Sequence, residues 1–141
     1  MNNEEVIIQL HTAGLLVVQD RKLLLAYSKN KKCFYLPGGK IDEHESAEEA
    51  LCREIAEELN VELEVSHLQY YTHISAPAFG EANGVIMEQE CFFVNIMINP
   101  IAAAEIGEVK YFTLNEYLRE KHTAPGAIMI LEKLHGDGYI E

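Results

Sequence analysis

Basic residues are scarce in this chain of 141 residues: 11 Lys and Arg stand against 23 Asp and Glu, a formal net charge of −12. That imbalance argues against non-specific binding of DNA or RNA and against docking on anionic lipid, both of which need a basic surface. Cysteine is sparse as well. Cys33, Cys52 and Cys91 are odd in number and widely spaced, so neither a disulfide framework nor a zinc site is supported. Long apolar runs are missing. The longest, Ala13 to Val18 and Leu23 to Tyr27, fall far short of the roughly 20 residues that span a membrane. The start, Met1-Asn2-Asn3-Glu4-Glu5, is polar and acidic where a signal peptide is basic. Together these absences predict a soluble cytoplasmic protein with no nucleic-acid and no membrane partner.

What is present fits one ordinary folded unit. Hydrophobic residues make up 48% of the chain and charged residues 24%, the balance of a globular protein. The length predicts a single domain over 1–141 that buries roughly two-thirds of its extended surface and needs no staple. Val6 to Val18 and Lys22 to Tyr27 read as a hairpin broken at Gln19-Asp20-Arg21. Cys33 to Leu36 is a short apolar run stopped by Pro37-Gly38-Gly39, a chain-turning signal. Ser46 with Glu49 forms a capping box that opens a helix, and Asn60 closes it in the left-handed region. Val61 to His73 and Val85 to Asn99 read as strands, the second central because Cys91 to Ile98 is apolar on both faces. His73 to Gly84 reads as a loop, Pro100 to Gly107 as a linker and Val109 to Thr113 as a short strand. Two helices follow, Asn115 to Lys121 and Pro125 to about Leu134, the second with proline in its first turn. This order predicts a mixed α/β sandwich with the acidic helix against a sheet.

The acid is concentrated in that helix. Between Asp42 and Glu58 eight carboxylates face a single cation, Arg53, which is costly unless solvent, partners or a bound cation screen them. Glu54, Glu57 and Glu58 are spaced i, i+3 and i+4 and share one patch, while Leu51, Ile55 and Leu59 form an apolar stripe on another face. Hard oxygen ligands without His or Cys select Mg²⁺, with Mn²⁺ as a substitute. Mg²⁺ is usually completed by substrate phosphates, so the spacing points to a polyphosphate ligand. Gly38 and Gly39, just upstream, allow the backbone to approach that ligand closely.

These residues carry a resemblance. Gly39, five residues, Glu45, seven residues, then Arg53-Glu54-Ile55-Ala56-Glu57-Glu58-Leu59-Asn60-Val61 resembles the box of the Nudix hydrolases of MutT type, with Asn60 where the final glycine stands. Leu36-Pro37-Gly38-Gly39 is also typical of the family. The resemblance implies an α/β/α sandwich and Mg²⁺-dependent hydrolysis of a nucleoside diphosphate linked to another group, by attack of water on phosphorus. By position it implies Glu54, Glu57, Glu58 and the Gly39 carbonyl as metal ligands, with Glu57 or Glu58 orienting or deprotonating the water. It also implies a structural ion pair between Glu45 and Arg53, and homodimers are common for the fold. The compact length resembles nucleoside-triphosphate pyrophosphohydrolases more than the longer ADP-ribose pyrophosphatases. An ADP-ribose or sugar-nucleotide pyrophosphatase and a non-catalytic nucleotide-sensing module are the alternatives.

Other residues are secondary candidates. Lys40, with Gly38 and Gly39, is placed to touch a substrate phosphate. Glu108 is expected as an accessory metal or base residue, with Glu105 its neighbour in that role and Glu88 and Glu90 weaker. Lys29, Lys31 and Lys32 form a basic loop able to steer an anion, although a solvated loop is the simpler reading. Tyr27, Tyr71, Phe79 and Phe93 sit at strand spacing and read as core more than as base-stacking groups. The six histidines lack ligand spacing and receive no role, and Cys52 reads as packing.

Overall fold

In a computed structural model, residues 7–81 and 83–141 are described; Met1 to Val6 and Ala82, which enter the readings above, lie outside them. The order is β1 (Ile8–Leu16), β2 (Val18–Gln19), β3 (Lys22–Ser28), β4 (Cys33–Tyr35), β5 (Gly38–Lys40), α1 (Ala47–Leu59), a 3₁₀ turn (Val65–His67), β6 (Leu68–Pro77), β7 (Val85–Val94), β8 (Ile106–Phe112), α2 (Leu114–Leu118) and α3 (Pro125–Gly136). Two sheets result. One is mixed, in the order β5-β1-β7-β6, with β1 and β7 parallel and both outer pairings antiparallel. The other is antiparallel and centred on β3, which pairs with β2, β4 and β8.

Helix α1 forms for local reasons that tertiary burial completes. Ser46 Oγ accepts from the Glu49 amide at 3.0 Å and the Glu49 carboxylate accepts from the Ser46 amide at 2.9 Å, which satisfies two N-terminal donors. Asn60 ends the helix at φ 55°, ψ 39°. Leu51, Ile55 and Leu59 are fully buried against Ala13, Leu15, Leu24 and Phe92. A second core lies on the opposite face, where Ile130, Leu131 and Leu134 of α3 pack with Leu16, Leu23, Leu25 and Cys91. The buried Tyr117 hydroxyl ties this side together, donating to the Phe34 carbonyl at 2.7 Å and accepting from the Ala124 amide at 2.9 Å. Helices on both faces of sheet give the expected α/β/α layering, with α1 packed on the mixed sheet.

Several elements differ from the sequence reading. The hairpin is confined to Val18–Gln19 against Lys22–Leu23, turned by Asp20 and Arg21 at φ 52° and 61°. The rest of the first strand pairs in parallel with β7, from Ile8 opposite Val85 to Leu16 opposite Phe93. Pro37-Gly38-Gly39 reads as a turn, but Gly38–Lys40 is a short strand on the edge of the mixed sheet. Residues 61–64 are irregular, and β6 begins at Leu68 and runs on to Pro77. The segment 100–105 is not a slack linker: the Ile101 and Ala103 amides donate at 2.9 Å to the Leu59 and Glu58 carbonyls, closing the free end of α1. Among the described residues no helix is long and apolar enough to cross a membrane.

Candidate active site

The site is assembled where β5 meets α1, and its two glycines are there for different reasons. Gly38 has φ 140°, and a Cβ on it would stand 2.0 Å from the Ala13 carbonyl oxygen, so no side chain is accommodated beside β1. At Gly39 a Cβ would meet the Glu54 carboxyl carbon at 2.5 Å. The missing side chain is the space the carboxylate occupies. One turn further on, Glu58 accepts from the Gly38 amide at 2.9 Å. Two carboxylates of one helix face are thereby held against two successive residues of one strand.

Arg53 supports this arrangement from the rim. Its Nε and Nη2 donate to the two Glu45 oxygens at 2.7 and 2.9 Å, its Nη1 to Glu54 at 3.0 Å, and Nη2 also to the Lys40 carbonyl at 3.1 Å. Asp42 and Glu57 approach it at 3.3 and 3.7 Å. A planar fork that serves loop, strand and helix together is a task lysine cannot perform. Glu45 Oε1 also accepts from the Asp42 amide at 2.9 Å.

The electrostatics follow from these contacts. Arg53 first, and then the Asp42 amide, hold the Glu45 carboxyl down to about 2. Burial pushes Glu58 up to about 8, against the hydrogen bond from Gly38, and the charges of Glu54, Glu105 and Glu57 push it the same way. Burial raises Glu54 as well, in spite of Arg53. Buried like charges of this kind mark sites that await a cation or a proton.

A cavity of about 420 Å³ opens beside these groups, a size usual for a small-molecule site. Glu54, Glu58, Gly38, Gly39 and Lys40 line it, and so do Asp42 and Lys31. Glu57 does not. Its side chain is 56% exposed at the rim. Glu108 lies on β8 opposite Tyr27 and is not among the lining residues, whereas Glu105 is, with Asn30 donating to it at 2.9 Å. Glu88 and Glu90 are engaged elsewhere, on His73 across the β6–β7 ladder. Of the aromatic candidates Phe79 lines the cavity beside Tyr35, while Tyr71 and Phe93 stack with Tyr139 and Tyr27 packs on Phe34. Thr12, Tyr35 and Gln89 line the cavity without having been singled out in the sequence. Thr12 carried no distinguishing signal, because Gln9 and His11 of the same strand are polar too.

Among the described residues no three His, Cys, Asp or Glu side chains stand preassembled around one metal position. The donors that are present still fit a divalent cation. They are oxygen only, they are mutually repulsive, and Mg²⁺ commonly takes one or two carboxylates and completes its shell with phosphate and water.

A helix presenting carboxylates to a glycine strand beside a cavity is the arrangement a metal-assisted phosphohydrolase would use. The model of the NUDIX domain family matches residues 6–132, so the chain belongs to the Nudix family, and it is a Nudix hydrolase. The fold is shared with a MutT Nudix hydrolase from Burkholderia pseudomallei, at 24% identity and a TM-score of 0.73 over 89% of this chain and 98% of that one. It is shared with the ORF135 protein of E. coli, at 24% identity and 0.71 over 94% of each chain. It is shared also with the Nudix domain of Shewanella oneidensis NrtR, solved in complex with ADP ribose, at 22% identity and 0.67 over 97% and 93%. No curated protein matches the chain significantly in sequence.

Proposed function

We propose that this Nudix hydrolase is a single-domain, cytoplasmic enzyme that cleaves a nucleoside triphosphate to the monophosphate and pyrophosphate. The oxygen of water bonds to phosphorus, the bridging P–O bond breaks, and the water proton leaves to a carboxylate or to solvent. The observation that carries the reading is that one helix delivers Glu54 and Glu58 onto Gly38 and Gly39 beside a cavity whose other lining residues are mostly uncharged. Phosphates belong at the acidic end with a cation, and the nucleoside belongs at the other.

Glu54, Glu57, Glu58 and the Gly39 carbonyl are the proposed holders of Mg²⁺, with Mn²⁺ able to substitute. Bound there, the cation supplies neutralisation of phosphate charge and a lower pKa for water. The chain's own residues do the positioning. Arg53 fixes Glu54 and, through Glu45, the loop before α1; Glu57 or Glu58 orients and deprotonates the water. Glu105 takes the accessory carboxylate position in place of Glu108 because it faces the cavity, and Lys40, which follows the two glycines, is the cation placed to meet a phosphate.

The test is phosphate and pyrophosphate release from NTPs, dNTPs, ADP-ribose, sugar nucleotides and dinucleoside polyphosphates, with Mg²⁺ and with EDTA. Turnover of triphosphates that EDTA and Glu57→Gln both abolish is the expected result. Turnover confined to ADP-ribose or a sugar nucleotide replaces the substrate. Binding of nucleotide without any turnover makes the domain a sensor.

A further inference from the structure

The inner end of the cavity contains two polar side chains that the protein itself leaves almost without partners. Thr12 is 6% exposed and its buried Oγ1 has no hydrogen-bond partner. Gln89 is 7% exposed, and its Oε1 meets only the Cys91 thiol, a weak donor, at 3.9 Å. The two are register partners in the parallel β1–β7 ladder and both line the cavity. The Gln89 amide fills the space above Gly14, where a Cβ would stand 3.0 Å from Nε2. Burying a hydroxyl unpaired costs stability, and native interiors avoid it unless something else uses the group.

We propose that Thr12 and Gln89 read the polar edge of the substrate's nucleobase and so determine which nucleotides this enzyme accepts; the proposal rests on the nucleotide reading above. An amide offers a donor beside an acceptor, the complement of a base edge on which an acceptor and a donor are neighbours. Around the pair stand Leu10, Leu36, Met87 and the tilted pair of Tyr35 and Phe79, whose ring centroids are 6.0 Å apart, with Lys40 across the β1–β5 pairing from Thr12 and Lys31 Nζ 5.4 Å from the Tyr35 ring. A planar heterocycle is matched by such walls on its faces and by the amide on its edge. The two side chains come from β1 and β7 rather than from α1. They lie on the sheet face opposite Ala13 and Leu15, which hold that helix. Their role is therefore to position and select.

The test compares kcat/KM for ATP, GTP, CTP and UTP with that for base-free ribose 5-triphosphate, in the wild type and in the shape-conserving variants Gln89→Met and Thr12→Val. The ratio of base-bearing to base-free turnover is expected to fall about 10- to 100-fold in Gln89→Met, with the ranking of the four bases compressed. Ligand-free Thr12→Val is expected to melt higher than the wild type, because an unpaired buried polar group has been removed. An unchanged ratio and ranking, or a lower melting temperature of Thr12→Val from a merely structural role, overturns the proposal. If the wild type turns over none of the five, the triphosphate reading fails separately. Calorimetric binding of the same compounds then decides the role of the pair: an equal affinity loss in Gln89→Met for nucleotides and for ribose 5-triphosphate refutes it.

Discussion

Arg53 and Glu45 are joined by two hydrogen bonds, at 2.7 and 2.9 Å, that fasten the loop before α1 to the middle of the helix. Because the folded state holds the Glu45 carboxyl near 2, below its ordinary 4.5, its contribution to stability is complete above about pH 4.5 and is lost as the pH falls toward 2. Glu45→Gln is expected to flatten that part of the profile of melting temperature against pH. A variant that loses stability with acid as the wild type does would show the pair to be idle.

Arg53→Lys keeps the charge and removes the fork. The ammonium cannot serve Glu45, Glu54 and the Lys40 carbonyl at once, so turnover should fall by at least about tenfold with a destabilisation of about 1–2 kcal/mol. Full kcat in the lysine variant would remove Arg53 from the positioning of Glu54.

The two glycines should fail differently. Gly39→Ala drives a methyl group into the Glu54 carboxylate, and loss of turnover with little change in melting temperature is expected. Gly38→Ala sets a Cβ against the backbone of β1 at a φ that side chains rarely adopt, so here about 2 kcal/mol or more of stability should go first. Denaturant melts alongside assays separate the two.

Glu58 gives the opposite sign to Glu45. Its pKa is raised in the folded state to about 8, so the metal-free protein loses stability as the pH climbs from about 4.5 through 8. Glu58→Gln keeps an acceptor for the Gly38 amide and carries no charge. It should melt about 3–5 °C above the wild type at pH 8.5 without metal, yet be inactive. A lower melting temperature at that pH would refute the assignment of burial as the cause.

Asn60 stands where the family's box ends in glycine, at φ 55°. Asn60→Gly should change stability by less than about 1 kcal/mol and leave kcat as it is. Ile55→Ala, on the buried stripe of the same helix, should cost about 2–5 kcal/mol.

Local signals were legible and distant pairings were not. The caps of α1, its apolar stripe and the spacing of Glu54, Glu57 and Glu58 all lie within a few residues of one another, so periodicity and turn chemistry expose them. β5 escaped because three residues, two of them glycine, have no period to read, and only β1 makes them a strand. Glu105 was weighed below Glu108 because nothing local indicates that residues 101 and 103 bond to the end of α1 and carry residue 105 to the cavity. Thr12 and Gln89 became neighbours only through the parallel register of strands far apart in the chain.

That register has a consequence for how such a protein diversifies. Along β1 and β7 alternate residues belong to different tasks: Ala13, Leu15 and Phe92 carry the helix that bears the carboxylates, while Leu10, Thr12, Met87 and Gln89 line the cavity. Mutations at the second set can recut the pocket while the first set keeps the carboxylates in place. Within two strands, inheritance of a reaction and invention of a substrate are carried by interleaved positions.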